Sequence, residues 1–178
     1  MRIRRHIPLL LLLLALSAVA PPRAAVAQSL EFPIKAQFLY RFVPFVEWPP
    51  GAMAAGGPLT LCILGRDPFG GLLDRAVANQ RLEGRAFAIR RLMQVEAGSG
   101  CHVLYVSASA EQSPAAALQI LRGAPVLTIT DDAVAAAPHG MIHFVIREQR
   151  VRFIIDQGAA EAGGLTISSK LLALGAGA

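Results

Sequence analysis

Pro58-Leu59-Thr60-Leu61-Cys62-Ile63-Leu64-Gly65, followed at once by Arg66-Asp67-Pro68, is the stretch on which the fold turns. It is a short apolar run ending in glycine, and it reads as a buried strand. Asp67 suits a helix N-cap and Pro68 the first helical position. Leu72, Leu73, Ala76 and Val77 then supply one face of that helix. The same grammar repeats downstream. Phe87–Leu92 is a second strand after a turn at Gly84, and His102–Ser107 is a third. Ser113-Pro114 opens a helix through Leu121 that Gly123 ends, and Val126–Thr130 is a fourth strand. Buried, largely apolar strands alternating with helices predict a mainly parallel sheet covered on its faces. The next two runs, Met141–Ile146 and Val151–Ile155, are joined by only Arg147-Glu148-Gln149-Arg150, which demands an antiparallel hairpin. The expected class is therefore α/β: a Rossmann-like, mainly parallel sheet of about six strands flanked by helices, with a C-terminal antiparallel hairpin. Ala159–Ala162, a Gly163-Gly164 break, Leu165–Ile167 and a short helix from Ser168 to Leu174 complete the chain, and the Ala/Gly tail is expected to fray.

Upstream of the decisive strand, Ile34–Trp48 has helical spacing, with Ile34, Phe38, Phe42, Phe45 and Val46 on one face. Pro33 fits the first turn of that helix, and Pro44 should kink or end it. The aromatic stripe Phe38, Phe42, Phe45 and Trp48 reads as core first and as a dimer seam or partner contact second.

The first residues have the form of an export signal. Arg2, Arg4 and Arg5 precede the leucine run Leu9–Leu14, and Ala25-Val26-Ala27 supplies the small residues of a cleavage site. The apolar run is near a dozen residues, short of the roughly 20 that span a bilayer. The expected division is a cleavable signal peptide over 1–27 and a single domain over 28–178, exported and no longer membrane-spanning. Four of the 17 basic residues (Arg2, Arg4, Arg5 and Arg23) leave with the leader and no acidic residue does, so the remainder is nearly neutral. A nearly neutral domain offers nucleic acid no electrostatic footprint. Two cysteines, Cys62 and Cys101, in an oxidising compartment suggest one disulfide; the competing reading is two buried thiols acting as small apolar groups.

Chemistry is sparse. No serine sits in a Gly-x-Ser-x-Gly turn, and Gly65–Gly71 has neither dinucleotide nor P-loop spacing. Asp67, Pro68, Phe69 and Gly70 lie where α/β proteins bind ligands, at the carboxyl end of a strand, and are the candidate ligand or partner loop. His139 and His143 are four apart, but in a turn entering a strand rather than a helix, so no metal site is expected. Asp131 and Asp132 read as solvated. A hydrolase would need a nucleophile and base within reach, and no such pair stands out.

Lys35-Ala36-x-Phe38-Leu39-x-x-Phe42-x-x-Phe45-x-x-Trp48-Pro49, Gly65-x-Asp67-Pro68-Phe69-Gly70 and Cys101–Ser107 recur in a known order with Pro125–Ile129, Gly140-Met141-Ile142-x-Phe144, Val151-Arg152-Phe153-x-Ile155 and Gly164-Leu165-x-Ile167-Ser168-Ser169-Lys170-Leu171-Leu172. In that order and spacing the chain resembles the YfiR-like family of exported bacterial proteins, from Ile34 to Leu174. The resemblance implies a non-enzymatic periplasmic regulator, without cofactor, that represses a membrane-bound diguanylate cyclase through its periplasmic domain and so controls cyclic di-GMP and biofilm formation. It further implies a homodimer and a fold-supporting disulfide matching Cys62–Cys101. The second cysteine pair of some relatives is missing here, asparagine is common where Asp156 and His143 stand, and Gly163 replaces an alanine. A small-ligand-sensing module serving another membrane receptor, such as a histidine kinase, is the alternative expectation.

Overall fold

Strands that are apolar on both faces need cover on both sides. The computed structural model, which describes residues 23–175 apart from 55, 110 and 133–137, with backbone alone over 23–29, supplies it. The elements in chain order are α1 (Arg23–Arg41), a 3-10 turn (Val43–Phe45), β1 (Val46–Glu47), β2 (Leu59–Leu64), α2 (Gly71–Val77), β3 (Arg81–Leu82), β4 (Arg85–Leu92) and β5 (Val103–Val106). There follow α3 (Pro114–Ile120), β6 (Leu127–Asp131), β7 (Ile142–Arg147), β8 (Arg150–Ile155), α4 (Gln157–Ala162), β9 (Thr166–Ile167) and α5 (Ser169–Gly175). The predicted signal peptide lies mostly outside the described residues, as does the end of the Ala/Gly tail.

The main sheet has 7 strands in the order β3-β4-β2-β5-β6-β7-β8. β4, β2, β5, β6 and β7 run parallel, and β3 and β8 close the two edges antiparallel. The expected mixed α/β sheet and its terminal hairpin are thus present, with β3 as an additional short edge strand. Alternation along β2 splits the core. Leu59, Leu61 and Ile63 face the cluster under α1, α2 and α5, whereas Cys62 and Leu64 face the one under α3. The second sheet, β1 with β9, pairs Val46 with Ile167 and ties the C-terminal segment to the chain leaving α1.

Three local expectations are corrected. The first helix spans Arg23–Arg41, not Ile34–Trp48, so Pro33 lies inside it rather than in its first turn. Pro44 ends the helical path by forming the 3-10 turn, and Val46-Glu47 leave as a strand. The buried stripe is Lys35, Ala36, Leu39, Phe42 and Val43, rotated from the predicted one, and Ile34 is exposed. Asp67 does not cap α2, which begins at Gly71 behind Gly70. The expected cap at Ser113 is present, its hydroxyl accepting from the Ala116 amide.

The β7–β8 turn makes its tight reversal with Glu148 at φ 48° and Gln149 at φ 61°. Two-residue hairpin loops favour Asn-Gly there, because both residues need positive φ. Glu148→Asn with Gln149→Gly should stabilise the protein by about 1 kcal/mol, by relieving the left-handed penalty. A raised urea midpoint at unchanged slope would show it, and an unchanged midpoint would refute it. Gly163, where the family resemblance expects alanine, has its missing Cβ position 2.8 Å from Met141 Cε and 2.9 Å from the Ala124 carbonyl oxygen, so an alanine there would require both to shift.

Candidate functional site

In chain order the parallel strands number 2-1-3-4-5 across the sheet, with β2 first and β4 second, so the connections reverse between β2 and β5. That is the switch point where open α/β sheets form a ligand crevice. Here the crevice is closed by the chain itself. The Arg66 amide donates to the Ala108 carbonyl (2.9 Å) and Ser107 to Leu64 (3.0 Å). Gly65, at φ +79°, permits this approach: a Cβ would overlap the Ala108 carbonyl.

The candidate loop is packed beside it. Asp67 Oδ1 accepts from the amides of Phe69 (2.7 Å) and Gly70 (3.1 Å), an Asx turn rather than a helix cap. Its Oδ2 takes the Arg91 guanidinium at 2.7 Å, and Arg91 also holds Asp74 at 2.6 Å. The Arg91 hydrogen bond lowers the Asp74 carboxyl below its ordinary value. Phe69 is buried, its ring edge-on to Tyr105 at 4.8 Å and to Phe32 at 6.2 Å.

Beneath Phe69 lies a polar cluster that sequence reading missed. Lys35, on α1, is only 2% exposed, and Asp131, at the carboxyl end of β6, only 1%. Lys35 Nζ donates to Glu31 at 2.5 Å and to Asp131 Oδ2 at 3.3 Å, with the rings of Phe32 and Phe144 each 5.8 Å away. The Tyr105 hydroxyl donates to the same Asp131 oxygen. Burial, and next the Asp131 charge, raise the Tyr105 pKa far above its ordinary value, so the phenol keeps its proton as a donor. Asp131 is therefore not solvated as expected. The one available signal was Lys35 in a stretch whose neighbours are apolar: a buried cation needs a buried anion. Chemically, the cluster presents no nucleophile to solvent. Its capacity is to clamp α1 onto strands β5 and β6.

The aromatic stripe divides. Phe38 and Phe42 stack at 5.5 Å and both meet Phe144 and Phe153, so they are core. Phe45 lines a surface groove with Tyr40 and Phe87. Trp48 packs against the core with its indole N–H buried and without an acceptor among the described residues. Cys62 and Cys101 form a disulfide that joins β2 to the entry of β5.

On the opposite face of the sheet the two histidines stack, His139 over His143 at 3.6 Å. The Gly140 amide donates to Thr130 Oγ1 (3.0 Å), which lies 2.9 Å from His143 Nδ1. Asp132 Oδ1, 3.3 Å from His143 Nε2, can only accept, so it selects the Nε2–H tautomer of the neutral ring, to whose Nδ1 the Thr130 hydroxyl then donates. Burial and then the His139 charge lower the His143 pKa, against the opposing pull of Asp132 and Asp131. His102 is likewise lowered, by burial and then by Arg85, and its Nδ1 accepts the Thr60 amide at 2.9 Å. A base with a depressed folded pKa takes up its proton more readily when unfolded, so stability is lost as pH falls below the ordinary histidine value near ~6.5. Urea midpoints should therefore drop between pH 7 and pH 5.5, and drop less in His143→Asn. Identical drops would exclude His143 as a source.

Residues 32–176 match a family model described as YfiR/HmsC-like. No curated protein matches the chain.

Proposed function

The chain belongs to the YfiR/HmsC-like family, and from that membership we propose that it is a non-enzymatic periplasmic regulator that represses a membrane-bound diguanylate cyclase through the cyclase's periplasmic domain. The single observation that carries this reading is the family match, which runs from α1 into the last residue of α5 and beyond. The geometry is compatible with it: at the switch point the polar groups of Asp67, Lys35 and Tyr105 are engaged by other protein groups. Repression requires the regulator to bind one state of the cyclase better than the other, since equal affinity shifts nothing. The export half of the proposal is removal of residues 1–27. Cleavage there shortens α1 but leaves its buried residues, Lys35, Ala36 and Leu39, in place. The Cys62–Cys101 bond is consistent with an oxidising compartment. Homodimerisation is part of the same proposal.

Deleting the gene should raise cyclic di-GMP and increase biofilm. Re-expression of the exported chain should reverse both, and a membrane cyclase should co-purify with it. Unchanged cyclic di-GMP with no membrane partner would overturn the reading.

Small-solute sensing for another receptor is the second reading. One observation favours it, a cavity of about 390 Å3 between α3 and α4 with Arg122, Thr128, His139 and Asp156 on its wall. A thermal-shift screen of amino acids and small carboxylates should then give a melting point that rises with ligand concentration. A flat screen would remove this reading.

A further inference from the structure

β3 is only two residues long and pairs with Arg85 and Ala86. Beyond it the outer edge of β4 has no strand neighbour among the described residues. The Leu92 carbonyl bonds inward, to the Gly65 amide at 2.8 Å. Strand peptide groups alternate in direction, so those of Ile89 and Arg91 face outward at this edge. Alongside, a groove of about 300 Å3 is lined by Tyr40, Pro44, Phe45, Leu82 and Phe87 with Arg41 at its mouth, and Leu82 and Phe87 make it continuous with the edge. The charge is predominantly positive, five arginines against Glu83 in the β3–β4 turn. Arg91 is satisfied by Asp67 and Asp74. Arg41, Arg81, Arg85 and Arg90 have no carboxylate partner among the described residues: Arg41 lies against Tyr40, and the other three bond only to backbone carbonyls.

We infer that this edge is a docking site for an extended, acidic segment of a partner protein, added beside β4 as a further strand with an apolar side chain in the Phe45–Phe87 groove. Main-chain pairing supplies affinity in this mode, and pockets for alternate side chains supply specificity. Charge decides the occupant. A second copy of the chain would bring its Arg90 and Arg91 against the same arginines, and like charges across a strand pair are destabilising. A strand alternating aspartate or glutamate with apolar residues meets both the guanidiniums and the groove. Arginines alone would serve to keep the edge unpaired, but protection gives no reason for an apolar groove opening onto that edge. The inference goes beyond the cyclase reading and holds for any protein partner.

The test is a phage-displayed library of eight-residue peptides selected on the purified protein. The expected winners alternate acidic with apolar residues and lose at least about tenfold in affinity on Arg41→Glu/Arg81→Glu, whose circular dichroism and urea midpoint should match the parent because both side chains are exposed. N-methylating alternate residues of a winner should abolish binding in one register and spare it in the other, as strand addition requires. Absence of enrichment, basic winners, undiminished affinity on the charge-reversed variant, or indifference to methylation in both registers would each overturn the inference. So would self-association of the chain through β4.

Discussion

Lys35→Ala is expected to destabilise the protein by about 3–5 kcal/mol, the range for removing one partner of a buried pair. The reason is geometric. Lys35 is the cation beside Asp131, which also accepts from the Tyr105 hydroxyl on β5, and both charged groups are almost wholly removed from water. Deleting the ammonium removes the buried cation from a carboxylate that keeps the Tyr105 hydroxyl, and it leaves a gap between the rings of Phe32 and Phe144. The loss is a large share of the roughly 5–15 kcal/mol that holds a domain together. Two further variants separate the pair from simple packing. Glu31→Gln, whose partner carboxylate is partly exposed, should lose no more than about 1 kcal/mol, as expected for a partly solvated pair. Lys35→Met with Asp131→Leu should lose less than the sum of its single changes, because neighbours that share an interaction do not add. Urea unfolding of the parent, Lys35→Ala, Glu31→Gln, Lys35→Met, Asp131→Leu and the double variant decides the matter. A Lys35→Ala loss below about 1 kcal/mol would mean that the clamp on α1 is not a charged one.

Removing the disulfide is the second large effect. Cys62 and Cys101 are 39 residues apart in sequence, and the chain-entropy relation gives about 4 kcal/mol for a closed loop of that length. The bond joins neighbouring parallel strands, β2 and the approach to β5, whose pairing otherwise waits on a non-local encounter. Cys62→Ala with Cys101→Ala should therefore lower stability by about 2–4 kcal/mol, the typical disulfide range. Chemical reduction of the parent should give the same loss. Alanine is chosen because both sulfurs sit in the apolar cluster with Leu64, Leu104 and Val126, where a serine hydroxyl would add its own desolvation penalty. Thiol titration of the unreduced, denatured protein should find no free cysteine. Agreement between reduction and mutation would place the effect in the bond itself, and a loss under 1 kcal/mol by both routes would contradict the loop argument.

The strands were readable wherever burial is two-sided. Leu59–Leu64 and Val103–Val106 are nearly unbroken apolar runs, because each lies inside the sheet with helices on its faces, while Leu127–Asp131 is buried along its length although Thr128, Thr130 and Asp131 are polar. The hairpin was readable from the four residues between its runs. Arg81-Leu82 was not, since two residues carry no period. The first helix was legible in type and misplaced in extent. Proline at position 33 resembles a start signal, but tertiary packing of α1 against α2 and β8 carries the helix through it. In the site, the two cysteines could be paired by count alone. Asp67 was read as a helix cap because its carboxylate does accept amides two and three residues on, but the helix starts only after Gly70, and its second oxygen is engaged by Arg91 from another strand.

From the order of its residues alone, the chain indicated most of the buried strands, a mainly parallel sheet with a hairpin at the end, the two cysteines available to bond, and the family it resembles. These follow from local pattern: apolar runs, turn residues and loop lengths act over a few residues at a time. The folded structure alone decided that Lys35 meets Asp131 across 96 residues, that the switch-point crevice is sealed by Gly65 against Ala108, and that β4 is left with an open, arginine-lined edge. Those outcomes depend on which strands become neighbours, and strand order is set by the joint packing of all the helices over the sheet, a property no single stretch of sequence contains.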